Sequence, residues 1–206
     1  VGSEMCIRDS SNMAQGRPSI AASTWATAVK DAGVFKIGGV QTSTLFSLLN
    51  EKDGQTRGFD AGIAQLLSNY ILGENKVEIT QVTSDTRESV LQNGQVDAVF
   101  ATYTITDERK KAVDFSSSYY NDSQSVVVKK DSKFANATKV SDLKDATVGV
   151  MVGTLAYDYA KANIKDDIQT FNDDAALAQA LDAGQIDVLV TSTVECVYMV
   201  QSEQVK

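Results

Sequence analysis

The chain has 206 residues, a net charge of −8 and 43% hydrophobic side chains, enough for one large or two small domains with real cores. The acidic balance argues against nucleic acid, because phosphate binding needs a basic face. Histidine is absent, which removes Ser-His-Asp and Cys-His catalysis and every His-ligated metal site.

Cys6 and Cys196 form no CxxC pair and no disulfide framework, so both are expected to be free thiols. No apolar run approaches the roughly 20 residues of a membrane span. The first ten residues, VGSEMCIRDS, have neither helical nor strand period and lack the apolar centre of a signal peptide. They resemble a translated sequencing-adapter scar, so Cys6 is not read as a lipidation site. SNMAQGRPSIAAS, which holds the single proline, Pro18, reads as a flexible leader.

From Ser23 the pattern becomes regular. STWATAVKDAG predicts a short helix, capped by Ser23 or Thr24 and stopped by Gly33. VFKIGGV, Val34 to Val40, predicts a strand whose Gly-Gly lets the backbone turn sharply or approach a ligand. NEKDGQTRG is a polar turn region. FDAGIAQLLSNYIL carries apolar residues at helical spacing and ends at Gly73. KVEITQV, Lys76 to Val82, alternates like a half-buried strand. Ser84, Arg87 and Glu88 open a helix that closes at Asn93-Gly94, and VDAVFATYT follows as a strand. DERKKAVDF gives a helical turn or two.

The second half repeats the alternation. SQSVVVKK is strongly β, VSDLKDA is a small helix, and TVGVMVG, Thr147 to Gly153, is the near-continuous apolar strand of a parallel sheet. A helix (TLAYDYAKAN), a strand (IQTFN), a capped helix (DDAALAQALDAGQ), a strand (IDVLVTS) and a helix (TVECVYMVQSEQ) complete it. Strands alternating with helices predict an α/β fold with mostly parallel sheet. ESVLQNGQVDAVFATYT and AQALDAGQIDVLVTST share a helix, a G-Q-(V/I)-D segment and a strand ending in hydroxyls. That pseudo-repeat predicts two α/β lobes, with ligands at the carboxyl ends of the strands. The expected boundaries are 1–33 for the leader and short helix, 34–124 for lobe 1 and 125–206 for lobe 2.

Thr102, Thr104 and Thr106 share one face if their strand persists, and Arg109 follows within a turn. Hydroxyls, a planar guanidinium and helix-start N–H groups suit a carboxylate. The competing account is a plain threonine cap with Arg109 in solvent. Ser84 and Arg87 read either as a capped helix with a solvated arginine or as a second cation for a second carboxylate. Gly153-Thr154 sits at the positive end of a helix, as an ordinary cap or as an anion donor. Phe46 and Trp25 fit core packing, with stacking of Phe46 on a ligand as the alternative.

TRGFDAGIAQLL, RESVLQNGQVDAVFATYTITDERKKAVDFSSSYYNDSQSVVVKKD, VSDLKDATVGVMVGTLAYDYA and AGQIDVLVT, in that order, resemble the extracytoplasmic solute-binding proteins (family 3) of polar amino acid ABC transporters, with the glutamate-binding branch most similar. The similarity covers about Val34 to Thr191. It implies a two-lobed type 2 periplasmic-binding-protein fold, parallel-rich sheets with flanking helices, closing on an amino acid in an interlobe cleft. The implied protein is an extracytoplasmic monomer, periplasmic or lipid-anchored, that delivers a polar and acidic amino acid to a permease and needs no cofactor or metal.

Thr102, Thr104 and Arg109 match the positions for the ligand α-carboxylate, and Thr154, beside Gly153, matches the second-lobe donor. Ser84 and Arg87 match positions that help hold acidic ligands. Three departures stand out. Gly62 replaces an acid in the GFD-x-D signature, Ser192 replaces the aspartate that pairs with the ligand ammonium, and the chain stops at Lys206, where the family chain returns to lobe 1. Glu195, a helical turn past Ser192, is the candidate substitute. The resemblance thus implies a fragment without its signal peptide, with an incomplete second lobe and return, and marginal stability. Rival expectations on the same scaffold are a cyclohexadienyl dehydratase-like enzyme, for which the cleft offers no acid or base, and the sensor domain of a membrane receptor.

Overall fold

Ten strands and six α-helices alternate through the computed structural model, which describes residues Ser19–Val205. The expectations for Cys6, Pro18 and the leader before Ser19 lie outside the described residues. The chain divides into two compact units, at Asn121 and Asp122.

The first unit begins with a 3-10 turn at Ile20–Ala22 and α1, Thr24–Ala32. The Ser23 side chain accepts from the Ala26 N–H, and Gly33 takes the left-handed conformation that ends the helix. β1 (Phe35–Gly39) pairs in parallel with β5 (Val77–Gln81) on one side and β6 (Ala98–Phe100) on the other. The Gly-Gly pair lies inside this central strand, where a Cβ on Gly38 would sit 3.2 Å from side-chain carbons of Val82 and Val99. Close packing between neighbours, not a turn, accounts for that glycine.

α2, Phe59–Leu72, covers the sheet together with α1, and α3 spans Arg87–Gln92. Val29, Phe35, Ile37, Ala64, Ile71 and Phe100 form the core of the unit. Burying each large side chain contributes about 1.5–3 kcal/mol.

Where the sequence suggests only a polar turn, the chain forms a small antiparallel sheet of β2 (Thr42–Ser43), β3 (Ser47–Asn50) and β4 (Gln55–Arg57). Asn50 and Asp53 close its hairpin: the Gly54 N–H donates to the Asn50 carbonyl and the Gln55 N–H to the Asp53 carboxylate. Gly58 (φ 140°) then passes under Phe46 so closely that a Cβ would lie 2.3 Å from the Phe46 carbonyl carbon.

The second unit is a four-stranded sheet in the order β7-β10-β8-β9, with β7 Gln124–Val128, β8 Val148–Met151, β9 Ile168–Phe171 and β10 Val188–Ser192. β7 is antiparallel to β10, and the other pairings are parallel. Alternation sends Val148, Val150, Val188 and Val190 to the face covered by α4 (Leu155–Asn163), with Ala156 and Ala160 packed on them. Leu189 and Met151 face the other way, against Leu177 and Leu181 of α5 (Asp174–Asp182) and Cys196 and Met199 of α6 (Thr193–Gln201). Both faces are covered, which is why β8 and β10 read as unbroken apolar runs. Cys196 is a buried free thiol, and burial pushes its pKa up to about 12.

The pseudo-repeat has one physical content in both units. The Asp97 carboxylate accepts from the Lys36 N–H at 2.9 Å while its own N–H donates to the Lys36 carbonyl. The Asp187 carboxylate accepts from the Thr147 N–H at 2.8 Å, and its N–H donates to the Thr147 carbonyl. Each aspartate, just before a strand, holds the start of the neighbouring strand.

Candidate functional site

In the first unit β6 ends at Phe100, and the threonine row does not continue it. Thr102 adopts φ 49°, a conformation sparsely populated for a threonine. Its N–H donates to the Asp60 Oδ2 at 2.7 Å, and its hydroxyl donates to the Ala101 carbonyl at 2.8 Å. The expected common face of Thr102, Thr104 and Thr106 is therefore corrected. The turn at Thr102 breaks the two-residue period, and each threonine takes a separate place in a loop.

Thr106 accepts from the Arg109 N–H at 3.2 Å, and Glu108, without a side-chain cap bond, precedes the short 3-10 turn Arg109–Lys111. Arg109 is half-buried. Its Nη1 donates to the Thr104 carbonyl at 2.9 Å, and its guanidinium carbon lies 4.8 Å from the centre of the Tyr103 ring. Lys110 and Lys111 point to solvent in ion pairs with Asp107 and Glu108.

Arg87 is 2% exposed. Its Nη1 donates to the Ala101 carbonyl at 2.7 Å and its guanidinium carbon lies 4.2 Å from the Tyr103 ring centre. Neither the solvated arginine nor the ligand-facing cation of the sequence reading describes that placement. Burial, and then the like charge of Arg109, lower its pKa to about 10, so it stays charged at neutral pH. Ser84 is half-buried in the turn before α3, and Thr86, without a side-chain cap bond, precedes the helix.

Tyr103, not singled out in the sequence, joins the two arginines. Its hydroxyl donates to Glu88 Oε2 at 2.6 Å. Burial and that bond push its pKa up to about 12. Asp60, 1% exposed, accepts from Tyr119 as well as Thr102. Burial raises its pKa, against the opposing pull of those two donors and of Arg87. The sequence signal for Tyr103 was its position between two threonines, on the opposite face of the expected alternation. Arg109 lies only six residues on, but its other partners, Glu88 and Arg87, stand 15 and 16 residues back and were not readable.

Phe46 is buried edge-to-face against Phe59 (6.2 Å) and Tyr120 (5.3 Å). The core alternative describes it, while Phe59 and Tyr120 are the exposed members at 40% and 42%. Trp25 is also partly exposed, with its indole N–H donating to the Asp97 carbonyl.

In the second unit Gly153 (φ 71°) turns the chain after β8, and Thr154 caps α4. The Thr154 hydroxyl donates to the Met151 carbonyl at 2.7 Å and accepts from the Tyr157 N–H at 3.4 Å. Ser192 is the cap of α6 and accepts from the Glu195 N–H. Glu195 is buried, and its charge, after burial itself, raises the pKa of Asp174 to about 7.

Residues 35–151, more than half of the chain, match the family model of bacterial extracellular solute-binding proteins, family 3. The chain belongs to this family. It is 41% identical over 169 residues to the glutamine-binding protein of Geobacillus stearothermophilus, covering 79% of this chain and 62% of that relative. It is 27% identical over 153 residues to the glutamate-binding protein GluB of Corynebacterium efficiens, covering 69% and 50%. Among solved structures, the cysteine-binding protein of Campylobacter jejuni superposes with a TM-score of 0.77 at 28% identity, over 87% of this chain and 72% of that one. This family 3 protein thus spans less than two thirds of the glutamine- and glutamate-binding relatives. Its α/β fold, with parallel sheets and flanking helices, is that of the type 2 periplasmic binding proteins. Among its described residues no helix is long and apolar enough to cross a membrane.

Proposed function

We propose that the chain is an extracytoplasmic receptor that binds a polar amino acid and hands it to an ABC importer. The observation that carries this is the placement of Arg109. A half-buried guanidinium, fixed by the Thr104 carbonyl and laid on Tyr103, is a rigid, permanently charged partner for a carboxylate. Thr102 and Thr104, on either side of Tyr103, are exposed. The α-carboxylate is common to glutamine, glutamate and cysteine, the amino acids for which the three relatives above are named.

The acidic side chain expected from the sequence has less support. Arg87, its intended partner, is spent on the Ala101 carbonyl and Tyr103, so the ligand class is written as polar rather than acidic. Thr154 and the N–H groups opening α4 are proposed as a further carboxylate donor set, and Ser192 with Glu195 as the surroundings of the ammonium. The relatives' names describe binding proteins, which favours a receptor over an enzyme.

Calorimetric titration with glutamine, glutamate, aspartate, asparagine and cystine tests this. At least one is expected to bind at micromolar affinity, which several charge-assisted hydrogen bonds sustain after closure costs. Arg109→Ala is expected to weaken it by about a hundredfold or more. Undiminished binding by Arg109→Ala would remove the carboxylate role.

A further inference from the structure

Tyr103 carries two guanidinium groups on one ring, Arg87 at 4.2 Å and Arg109 at 4.8 Å. The two differ in everything but that ring. Arg109 follows the threonine loop and is half-buried, whereas Arg87 opens α3 and is all but sealed from solvent. A cation over an aromatic face is held by the ring quadrupole, and desolvation strengthens the attraction.

The second grip of Arg87 is on the backbone that leads into the loop. The Ala101 carbonyl accepts from both Arg87 Nη1 and the Thr102 hydroxyl, while the Thr102 N–H is tied to Asp60. The one peptide unit that leads into the left-handed Thr102 is therefore held at both its carbonyl and its N–H by buried charged side chains. Glu88, next to Arg87 on α3, fixes the far end of the ring through the Tyr103 hydroxyl. Two successive residues of one helix thus set the position and orientation of the surface on which Arg109 rests.

We propose that Arg87 is a positioning residue of the amino acid site: it acts on the ligand through Tyr103 and the Ala101 carbonyl, presenting Arg109, and does not touch the ligand side chain. This inference rests on the carboxylate role proposed for Arg109. It makes a distinctive prediction, because a prop beneath a carboxylate clamp affects every amino acid alike, whereas a direct side-chain contact discriminates among them.

The test is Arg87→Lys, which keeps the charge but loses the planar fork, compared with the unsubstituted chain. Three measurements apply: cooperative melting, calorimetric affinity for glutamine and glutamate, and the proton shifts of the Arg109 side chain by NMR. With the guanidinium over its face, the Tyr103 ring current is expected to move those protons upfield in the parent chain. In folded Arg87→Lys, affinity is expected to fall about tenfold for both ligands, with the Arg109 shifts relaxing towards unshielded values. Loss for glutamate alone would overturn the proposal in favour of direct contact, and so would unchanged affinity with unchanged Arg109 shifts.

If Arg87→Lys does not melt cooperatively, Tyr103→Leu at the half-exposed ring replaces it. A similar loss for both ligands supports the proposal, and full affinity overturns it. If the parent chain binds neither amino acid, the receptor reading is what has failed. The NMR arm then decides positioning alone: Arg109 shifts that relax in Arg87→Lys support it, and shifts that stay in place overturn it.

Discussion

The Asp60 carboxylate and the Thr102 backbone are joined by a 2.7 Å hydrogen bond that spans 42 residues of sequence, with the Thr102 N–H donating. The bond fastens the N-terminal turn of α2 to the one residue between β6 and Arg109 with left-handed backbone. A non-glycine residue in such a region costs of order 1–3 kcal/mol, and this contact helps to hold it there. Asp60→Ala orphans two donors, the Thr102 N–H and the Tyr119 hydroxyl. An orphaned donor costs about 1–3 kcal/mol where it is buried and less where water reaches it, as at these part-buried bonds. Tyr119→Phe removes only the second interaction and is expected to cost less. Urea denaturation of the two variants checks the order. Equal midpoints for Asp60→Ala and the parent chain would show that Thr102 holds its conformation without Asp60.

Asp174 opens α5 with a carboxyl that burial, then Glu195 and Asp173, push from 3.8 up to about 7. Its Oδ1 is buried without a hydrogen-bond partner, in keeping with a group that ionises reluctantly. Between those two values the folded chain holds a proton that the unfolded chain has released. By linkage, this group's favourable contribution is present below about pH 4 and is lost as pH rises through 7. The difference is at most roughly 4 kcal/mol. Asp174→Asn is therefore expected to match the parent chain near pH 4 and to exceed its stability at pH 8. Denaturation midpoints at the two pH values measure this. A gap between parent and variant that stays constant with pH would mean that Asp174 is ionised throughout.

Gly58 admits no side chain, since its φ of 140° and the 2.3 Å approach to the Phe46 carbonyl both exclude one. The atoms in the way are backbone and cannot swing aside. Gly58→Ala is expected to destabilise the first unit by about 3 kcal/mol or more, read as a lowered melting temperature. Gly62→Ala lies in the same helix with nothing within 4 Å of an added Cβ, and is expected to be neutral or slightly stabilising through helix propensity. Comparable losses in the two variants would show that the Phe46 approach is not what demands glycine at Gly58.

Most of the α/β alternation was legible because each strand and helix has its own period. VKDAG and SNYILG predicted helix ends at Gly33 and Gly73, and both glycines take the left-handed conformation. The hairpin of β3 and β4 was not legible, since four- and three-residue strands are too short to show a period. The threonine row misled for a related reason. Alternation in ATYTIT is genuine, but it continues past the point where Thr102 turns the chain, and that turn is imposed by Asp60 from another element. Arg87 was read from neighbours in sequence as a surface charge or ligand partner. Its partners, the Ala101 carbonyl and the Tyr103 ring, lie 14 and 16 residues away, and no local pattern announces them.

The paired roles of Asp97 and Asp187 bear on how the sheets assemble. Parallel strands have no tight turn to align them, and a slip by one residue would turn an entire apolar face outward. An aspartate that grips an amide at the start of the adjacent strand acts as an index mark, setting the zero of the alignment. Because each unit carries its own mark, at Lys36 and at Thr147, neither needs the other as a template for its strand order. β6 leads on to the Thr102 turn and β10 runs directly into α6, so a slip of either alignment would displace the residues that follow it.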